Sequence, residues 1–282
     1  MLPANIFGKD TMALIASIIL GVVLGISEFL PVSSVGHSLI LSSLLTFPPT
    51  QVMRNTFAVF IEGGALLAVI VFYSRDLIRQ ARQFPTDPKV RQLWINVIIA
   101  FLPVGVVGFL LHDWVEQVLF SPLVVGISLI LGGIAFLVVE RRHIPPKTLQ
   151  LETMTRQQAI WVGIAQILAL IPGVSRSGAT IVGGLLAGLD RQVATVFTFY
   201  LFIPTLAAAS GYEIFNAVRQ GTIDSTLVPY FLLAALVGFF VSLIAMRWLL
   251  HYIRQHDFQI FGIYRIIVGV VVIVLVVTAH LA

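Results

Sequence analysis

Two short stretches carry the side chains that could do chemistry. The first reads Ser27-Glu28-Phe29-Leu30-Pro31-Val32-Ser33-Ser34-Val35-Gly36-His37-Ser38. It gathers a carboxylate, an imidazole and several hydroxyls, a set suited to proton transfer or nucleophilic attack. The second reads Pro172-Gly173-Val174-Ser175-Arg176-Ser177-Gly178-Ala179-Thr180. Pro172 and Gly173 end one helix and another starts near Ser175 or Ser177, so free N–H groups, hydroxyls and a guanidinium converge. That is an anion site, and phosphate is the anion that best suits an arginine beside helix-start amides. Serine and glycine alone also let membrane helices pack closely, and a lone arginine can snorkel. An arginine between two serines, directly after Pro-Gly, favours the site. Face to face, the two stretches would supply a base, candidate nucleophiles and a clamp for an anion.

The elements that must position them are membrane helices. Of 282 residues, 58% are hydrophobic and 11% charged, against roughly 25% charged in soluble domains. A guanidinium at bilayer depth costs about 3 kcal/mol or more. Irregular backbone is tolerated there only under a cover of protein or beside a water-filled cavity. The absence of cysteine excludes disulfides, iron–sulfur clusters and thiolate zinc sites. The net charge of +4 lies mostly in short loops between apolar runs, so no nucleic-acid partner is expected. No cleavable leader is expected either, because Met1–Met12 carries Lys9 and Asp10 and the apolar run beyond leads into polar motif residues.

The apolar runs predict an all-α polytopic fold. Thr56–Tyr73, Leu93–Leu111, Pro122–Val139, Val193–Tyr212, Pro229–Leu250 and Gly262–His280 are long enough to span. Ala13–Leu30 with Gly36–Leu45, and Ala159–Ile171 with Ser177–Leu189, form two pairs, each broken by a Pro/Ser/Gly stretch and read as re-entrant. The basic residues Arg75, Arg79, Arg82, Lys89 and Arg91 share one loop; Arg141, Arg142, Lys147 and Arg156 share another. With both loops cytoplasmic, six spans and two re-entrant pairs satisfy the positive-inside bias and put both termini outside. The chain reads as one membrane domain over 1–282 made of two inverted repeats, 12–140 and 157–282. Pro31 and Pro172 mark equivalent breaks, followed by Phe57-Ala58-Val59-Phe60 and Phe197-Thr198-Phe199-Tyr200. Inverted repeats with broken helices place a site near the midplane, where the breaks meet.

Gly25-Ile26-Ser27-Glu28-Phe29-Leu30-Pro31-Val32-Ser33-Ser34-Val35-Gly36-His37 and Pro172–Thr180 resemble the two signatures of the bacterial undecaprenyl-diphosphate phosphatase family. The likeness extends over almost the whole chain in segment order and loop length. It implies a multi-pass protein of the bacterial plasma (inner) membrane, associated with bacitracin resistance. It also implies a phosphoric anhydride hydrolase that removes the terminal phosphate of undecaprenyl diphosphate at the outer face, recycling the lipid carrier for cell-wall synthesis. By the same resemblance Glu28, Ser34, His37 and Arg176 are the catalytic candidates, and Ser33, Ser175, Arg176, Ser177, Gly178 and Thr180 bind substrate. The family depends on a divalent cation, with magnesium or calcium expected, and the resemblance implies Glu28 in metal binding or catalysis. Partners are the polyprenyl diphosphate and the bilayer; a homodimer is compatible. Whether Ser34 attacks with His37 as base, or His37 activates water, stays open.

One position departs from the family pattern. The first acid of its Glu/Gln-x-x-x-Glu motif falls on Leu24, while Glu62, in Phe60-Ile61-Glu62-Gly63-Gly64, stands where the family more often has glutamine. Residues 24 and 28 share a helix face, so Glu62 is read as the replacement carboxylate and second metal candidate. Its other reading is a protonated acid bonded to backbone. Catalysis weakened by Leu24 is the corresponding alternative. A polyprenyl-phosphate flippase of the same fold is the rival class, and would need Arg176 and the glycines but not Ser34 and His37. Arg265 is expected to reach either the site or a lipid headgroup. Asn96 and Gln166 are read as packing residues, and His112 and Glu140 as interfacial.

Overall fold

A computed structural model of the chain describes residues 9–45, 51–219, 221 and 224–278. The fold is helical: α1 Lys9–Phe29, α2 Ser34–Leu44, α3 Gln51–Phe72, α4 Ser74–Gln83, α5 Pro88–Trp114, α6 Pro122–Arg141, α7 Arg156–Ile167, α8 Arg176–Leu186, α9 Arg191–Arg219, α10 Val228–Tyr252 and α11 Gln259–Val277. The starts are chemically marked. Asp87 and Ser121 accept from the amides of Lys89 and Val124 ahead of Pro88 and Pro122, and Thr155 with Gln158 closes a reciprocal cap on α7.

Among the described residues six helices are long and apolar enough to cross a membrane: α1, α5, α6, α9, α10 and α11. Here α1 joins five of the expected spans, because it begins at Lys9 rather than Ala13 and so gains most of a turn. The expected span at 56 passes only as a bent pair, α3 with α4, which meet at 65°. The bend follows composition. Ser74–Gln83 is too charged for hydrocarbon, and α4 turns aside with Arg79 paired to Asp76 at its surface.

Close approach does much of the packing. A Cβ on Gly262 would lie 2.9 Å from the Gly133 carbonyl oxygen, and one on Gly269 would lie 2.7 Å from that of Gly126. Two stripes of small residues thus let α6 and α11 touch backbone to backbone, the usual solution in lipid, where burial of apolar surface gives little drive. α1 packs on α10 and α7 packs on α5; α3 lies between α10 and α9. The two short elements, α2 and α8, reach inward from the breaks. Phe29 ends α1 against Phe199 and Phe202, with ring centroids 5.4 and 5.7 Å away. This fixes Glu28, the preceding residue, at the centre of the molecule.

Candidate active site

The two breaks use one backbone device. Ser33 and Ser175 are the N-caps of α2 and α8, and both sit at φ 73°. A non-glycine residue rarely adopts this left-handed region, and a serine there costs about 1 kcal/mol unless something holds it. What holds it is the cap: Ser33 Oγ accepts from the Gly36 amide at 3.4 Å and Ser175 Oγ from the Gly178 amide at 3.1 Å. In each break the residue after the serine opens a helix, so Ser34 and Arg176 occupy corresponding positions. The amides of these residues and of Val35 and Ser177 have no intrahelical partner.

Across the gap the side chains meet. Arg176 Nη2 lies 2.7 Å from Glu62 Oε1 and 3.2 Å from Glu28 Oε1. Ser34 Oγ donates to Glu28 Oε2 at 2.8 Å. The Glu28 side chain is only 5% exposed; a buried carboxylate left without partners would be costly. Here one oxygen has the guanidinium and the other the hydroxyl. Glu62, on α3, pairs with Arg176 rather than bonding as a neutral acid to its own backbone.

His37 is not beside Ser34's hydroxyl. Its Nδ1 lies 2.7 Å from the Ser33 carbonyl oxygen and its Nε2 lies 2.7 Å from the Tyr264 hydroxyl, with the two rings stacked. A carbonyl only accepts, so Nδ1 carries a proton; in the neutral ring the Tyr264 hydroxyl donates to Nε2. The group that accepts from the Ser34 hydroxyl is therefore Glu28, not His37. Sequence reasoning missed Tyr264, because nothing in its local pattern separates it from the aromatic residues of other span ends.

The remaining phosphate-binding candidates divide. Ser33, Ser175 and Arg176 border a cavity of about 760 Å³, together with Glu28 and Ser34. Ser177 and Thr180 lie behind its wall. Ser177 is fully buried and its hydroxyl reaches the Glu28 and Leu30 carbonyls at 3.3 and 3.1 Å, tying α8 to the end of α1. Thr180 bonds the Arg176 carbonyl and accepts from Thr198 of α9. The Gly178 amide is bonded by the Ser175 cap. These three build the turn that presents Arg176.

From the polar end the cavity runs between α5 and α9. Phe101, Val106, Phe109, Leu170 and Ala208 make its apolar wall, and His112, Tyr212 and Glu213 border its far end. Pro103 and Pro204 lie inside these two helices, next to that wall, and each removes a ladder hydrogen bond there. His112 thus borders the cavity and lies 3.7 Å from Glu213. Glu140 is buried rather than interfacial: it binds Arg191 through both oxygens and accepts from the Phe258 amide. Asn96 donates to the Met154 carbonyl and Gln166 reaches that of Ala100, as packing residues would.

Leu24 does not border the cavity. It is 6% exposed and packs with Leu20, Phe57, Ile61 and Phe231. The second acid at the guanidinium comes from α3 instead.

A fold of this kind defines a polytopic helical membrane protein with a charged, hydroxyl-bearing centre inside the bundle. A family model described as bacitracin resistance protein BacA matches residues 17–271, and the chain belongs to that family. It is 43% identical over 264 residues to a Rhodospirillum rubrum protein named undecaprenyl-diphosphatase 2, covering 94% of this chain and 95% of the relative. It is 41% identical over 254 residues to an undecaprenyl-diphosphatase of Parvibaculum lavamentivorans, covering 90% and 93%. A Lactococcus lactis subsp. cremoris undecaprenyl-diphosphatase is 38% identical over 275 residues, with 93% and 97% covered.

Proposed function

We propose that this chain hydrolyses the terminal phosphate of undecaprenyl diphosphate, releasing phosphate and the monophosphate lipid. Relatives named for that activity cover nearly its whole length. The single observation that carries the reading within the molecule is the chain Arg176–Glu28–Ser34, with links of 3.2 and 2.8 Å, at the polar end of a largely apolar cavity. A lipid diphosphate has that shape: a charged head and an apolar tail.

In this mechanism Arg176 and the amides heading α8 hold the terminal phosphate. Glu28 Oε2 takes the Ser34 proton as Ser34 Oγ bonds to the phosphorus. The bridging P–O bond breaks, and its electrons leave with the lipid monophosphate. Water then attacks the phosphorus, the Ser34 Oγ–P bond breaks and inorganic phosphate leaves; Glu28 gives its proton back to Ser34 Oγ, and the proton lost by the attacking water goes to solvent. Arg176 stabilises charge on the phosphoryl oxygens throughout. His37, through the Ser33 carbonyl, holds the turn that carries Ser34.

The donor set fits a hard divalent cation, magnesium or calcium. Glu28 and Glu62 offer only oxygen, and substrate phosphates complete such sites. Charge supports it as well: one guanidinium between two carboxylates is net negative, which repels a diphosphate. Glu28 and Glu62 would hold the cation, which would supply charge neutralisation at the diphosphate.

The two-repeat organisation, 12–140 and 157–282, belongs to the same proposal. It is supported by the matching caps at Ser33 and Ser175 and by the packing of α1 on α10 and α7 on α5. The location is the bacterial plasma membrane with the cavity opening outward. Arg75, Arg79 and Arg82 precede α5 and Arg191 opens α9, while the cavity runs toward the C-terminal ends of both helices. The test is phosphate release by purified protein in detergent, with magnesium or calcium against chelator. Release that needs the cation and falls in Arg176→Ala supports the reading. Lipid translocation without release would favour the flippase instead.

A further inference from the structure

On the side of the breaks away from the cavity lies a second guanidinium. Arg265, in α11, is 0% exposed. Among the described residues its hydrogen bonds go to carbonyl oxygens: Pro31 at 3.3 Å, Gly173 at 3.1 Å, Ser128 at 3.3 Å and Leu129 at 3.4 Å. These use all but one of its N–H groups. Pro31 and Gly173 are corresponding residues, each two positions before a capping serine. One planar group therefore holds the two breaks to each other and both to α6. Space is kept for it, since a Cβ on Gly132 would collide with the guanidinium and one on Gly178 would lie 2.7 Å from Nη1.

We propose that Arg265 is the positioning residue of the site, fixing the distance between the Ser34 face and the Arg176 face by clamping the Pro31 and Gly173 carbonyls. An oxygen bound behind the turn is also an oxygen kept away from an anionic substrate. The positive charge behind α8 adds to the field at its N-terminus in a region of low dielectric. Lysine cannot substitute, because a single ammonium does not reach carbonyls on three segments in one plane. The inference rests on the phosphatase site proposed above.

The test compares parent, Arg265→Lys, Arg265→Gln, Gly132→Ala, Arg176→Ala and the control Leu131→Ala, whose side chain faces outward at 60% exposure. Phosphate release is read as kcat and KM separately. Because the chain has no cysteine, a Val35→Cys/Val174→Cys pair, at two half-buried positions of the breaks, bridged by a short dithiol-reactive reagent reports their separation. Arg265→Lys and Gly132→Ala are expected to lower kcat about 100-fold, the cost of misplacing reacting groups by about 1 Å. KM should stay within about threefold, and cross-linking should fall. Leu131→Ala should match the parent. A folded Arg265→Lys or Gly132→Ala with the parent's kcat, or with only KM raised, overturns the proposal. Where the Arg265 variants do not fold, Gly132→Ala, which keeps the arginine, decides. If it too fails to fold, Arg265 holds the fold rather than the geometry of the site, and the proposal is overturned. An active Arg176→Ala would instead remove the site reading itself.

Discussion

The break at Pro31–His37 and the break at Pro172–Thr180 are alike in backbone and unlike in chemistry. Both turn through a serine at φ 73° whose side chain caps the helix it begins. After the serine they part: Ser34, Val35 and His37 in one; Arg176, Ser177 and Ala179 in the other. The first break bonds Ser34 to Glu28 and His37 to Tyr264; the second presents a cation to Glu28 and Glu62. The difference teaches a division of labour. A repeated turn aims two helix N-termini at one point, and under the proposed mechanism single side chains on it decide which side reacts and which side binds. Neither half is a site alone, since Glu28 belongs to the first and finds its cation in the second.

The sharpest way to break this comparison is to make the halves alike. Arg176→Ser gives the second break the residue that the first has at the corresponding place. It should lower kcat/KM about a thousandfold, as loss of a group that binds developing phosphoryl charge does. It also leaves Glu28 and Glu62 facing each other without a cation. Added guanidinium restoring part of the rate would show that charge at that point, not the fold, was lost. Next comes Ser34→Ala, which removes the hydroxyl and keeps the Glu28–Arg176 pair. Phosphate release should fall about 100-fold or more, and a phosphoserine trapped in the parent by rapid acid quench should disappear. A Ser34→Ala protein that turns over at the parent's rate would assign the attack to water.

How far these roles could be read from residue order follows from the physics of each. Helix positions were legible, because apolar length and polar breaks are local: Ser34–Leu44 and Arg176–Leu186 lie within a residue or three of the runs read from sequence. The extent of α1 was not, since its first turn, with Lys9 and Asp10, is polar and gives no apolar signal. Glu28, Ser34 and Arg176 were legible as a group because unlike polar residues in an apolar chain demand partners. Which hydroxyl borders the cavity was not legible. Ser175 and Ser177 are two residues apart, yet one borders the cavity and the other bonds the end of α1. That outcome depends on where α1 stops. Arg265 was ambiguous for a related reason: four backbone carbonyls satisfy it, and carbonyls carry no residue identity.

A smaller effect sharpens the comparison from the acidic side. Glu62 shares Arg176 with Glu28, whereas position 24 is packed among Leu20, Phe57 and Ile61. Glu62→Gln should lower activity about tenfold and weaken magnesium or calcium binding, measured by titration calorimetry in detergent. Adding Leu24→Glu to that variant returns a carboxylate to the Glu28 face of α1, and partial recovery of cation binding is expected. Glu62→Gln with unchanged cation affinity would leave Glu62 as a partner of Arg176 alone.

The smallest effects test the device that the two breaks share. Alanine at Ser33 or Ser175 keeps the left-handed backbone cost and loses the cap; glycine also loses the cap but removes that cost. Each alanine variant should therefore be less stable by about 1 kcal/mol, a fall in thermal midpoint of about 2 °C for a chain of this size. Each glycine variant should lie closer to the parent. Ser175→Ala should cost more than Ser33→Ala, because its cap is the shorter bond and its hydroxyl also meets Ser177 at 3.1 Å. Kinetics should separate the two further. Ser175→Ala loosens the helix start that carries Arg176 and should raise KM, whereas Ser33→Ala loosens the turn that carries Ser34 and should lower kcat. Equal shifts in both parameters from both variants would mean that the breaks act as one rigid unit, and that the division between a reacting side and a binding side lies in the side chains alone.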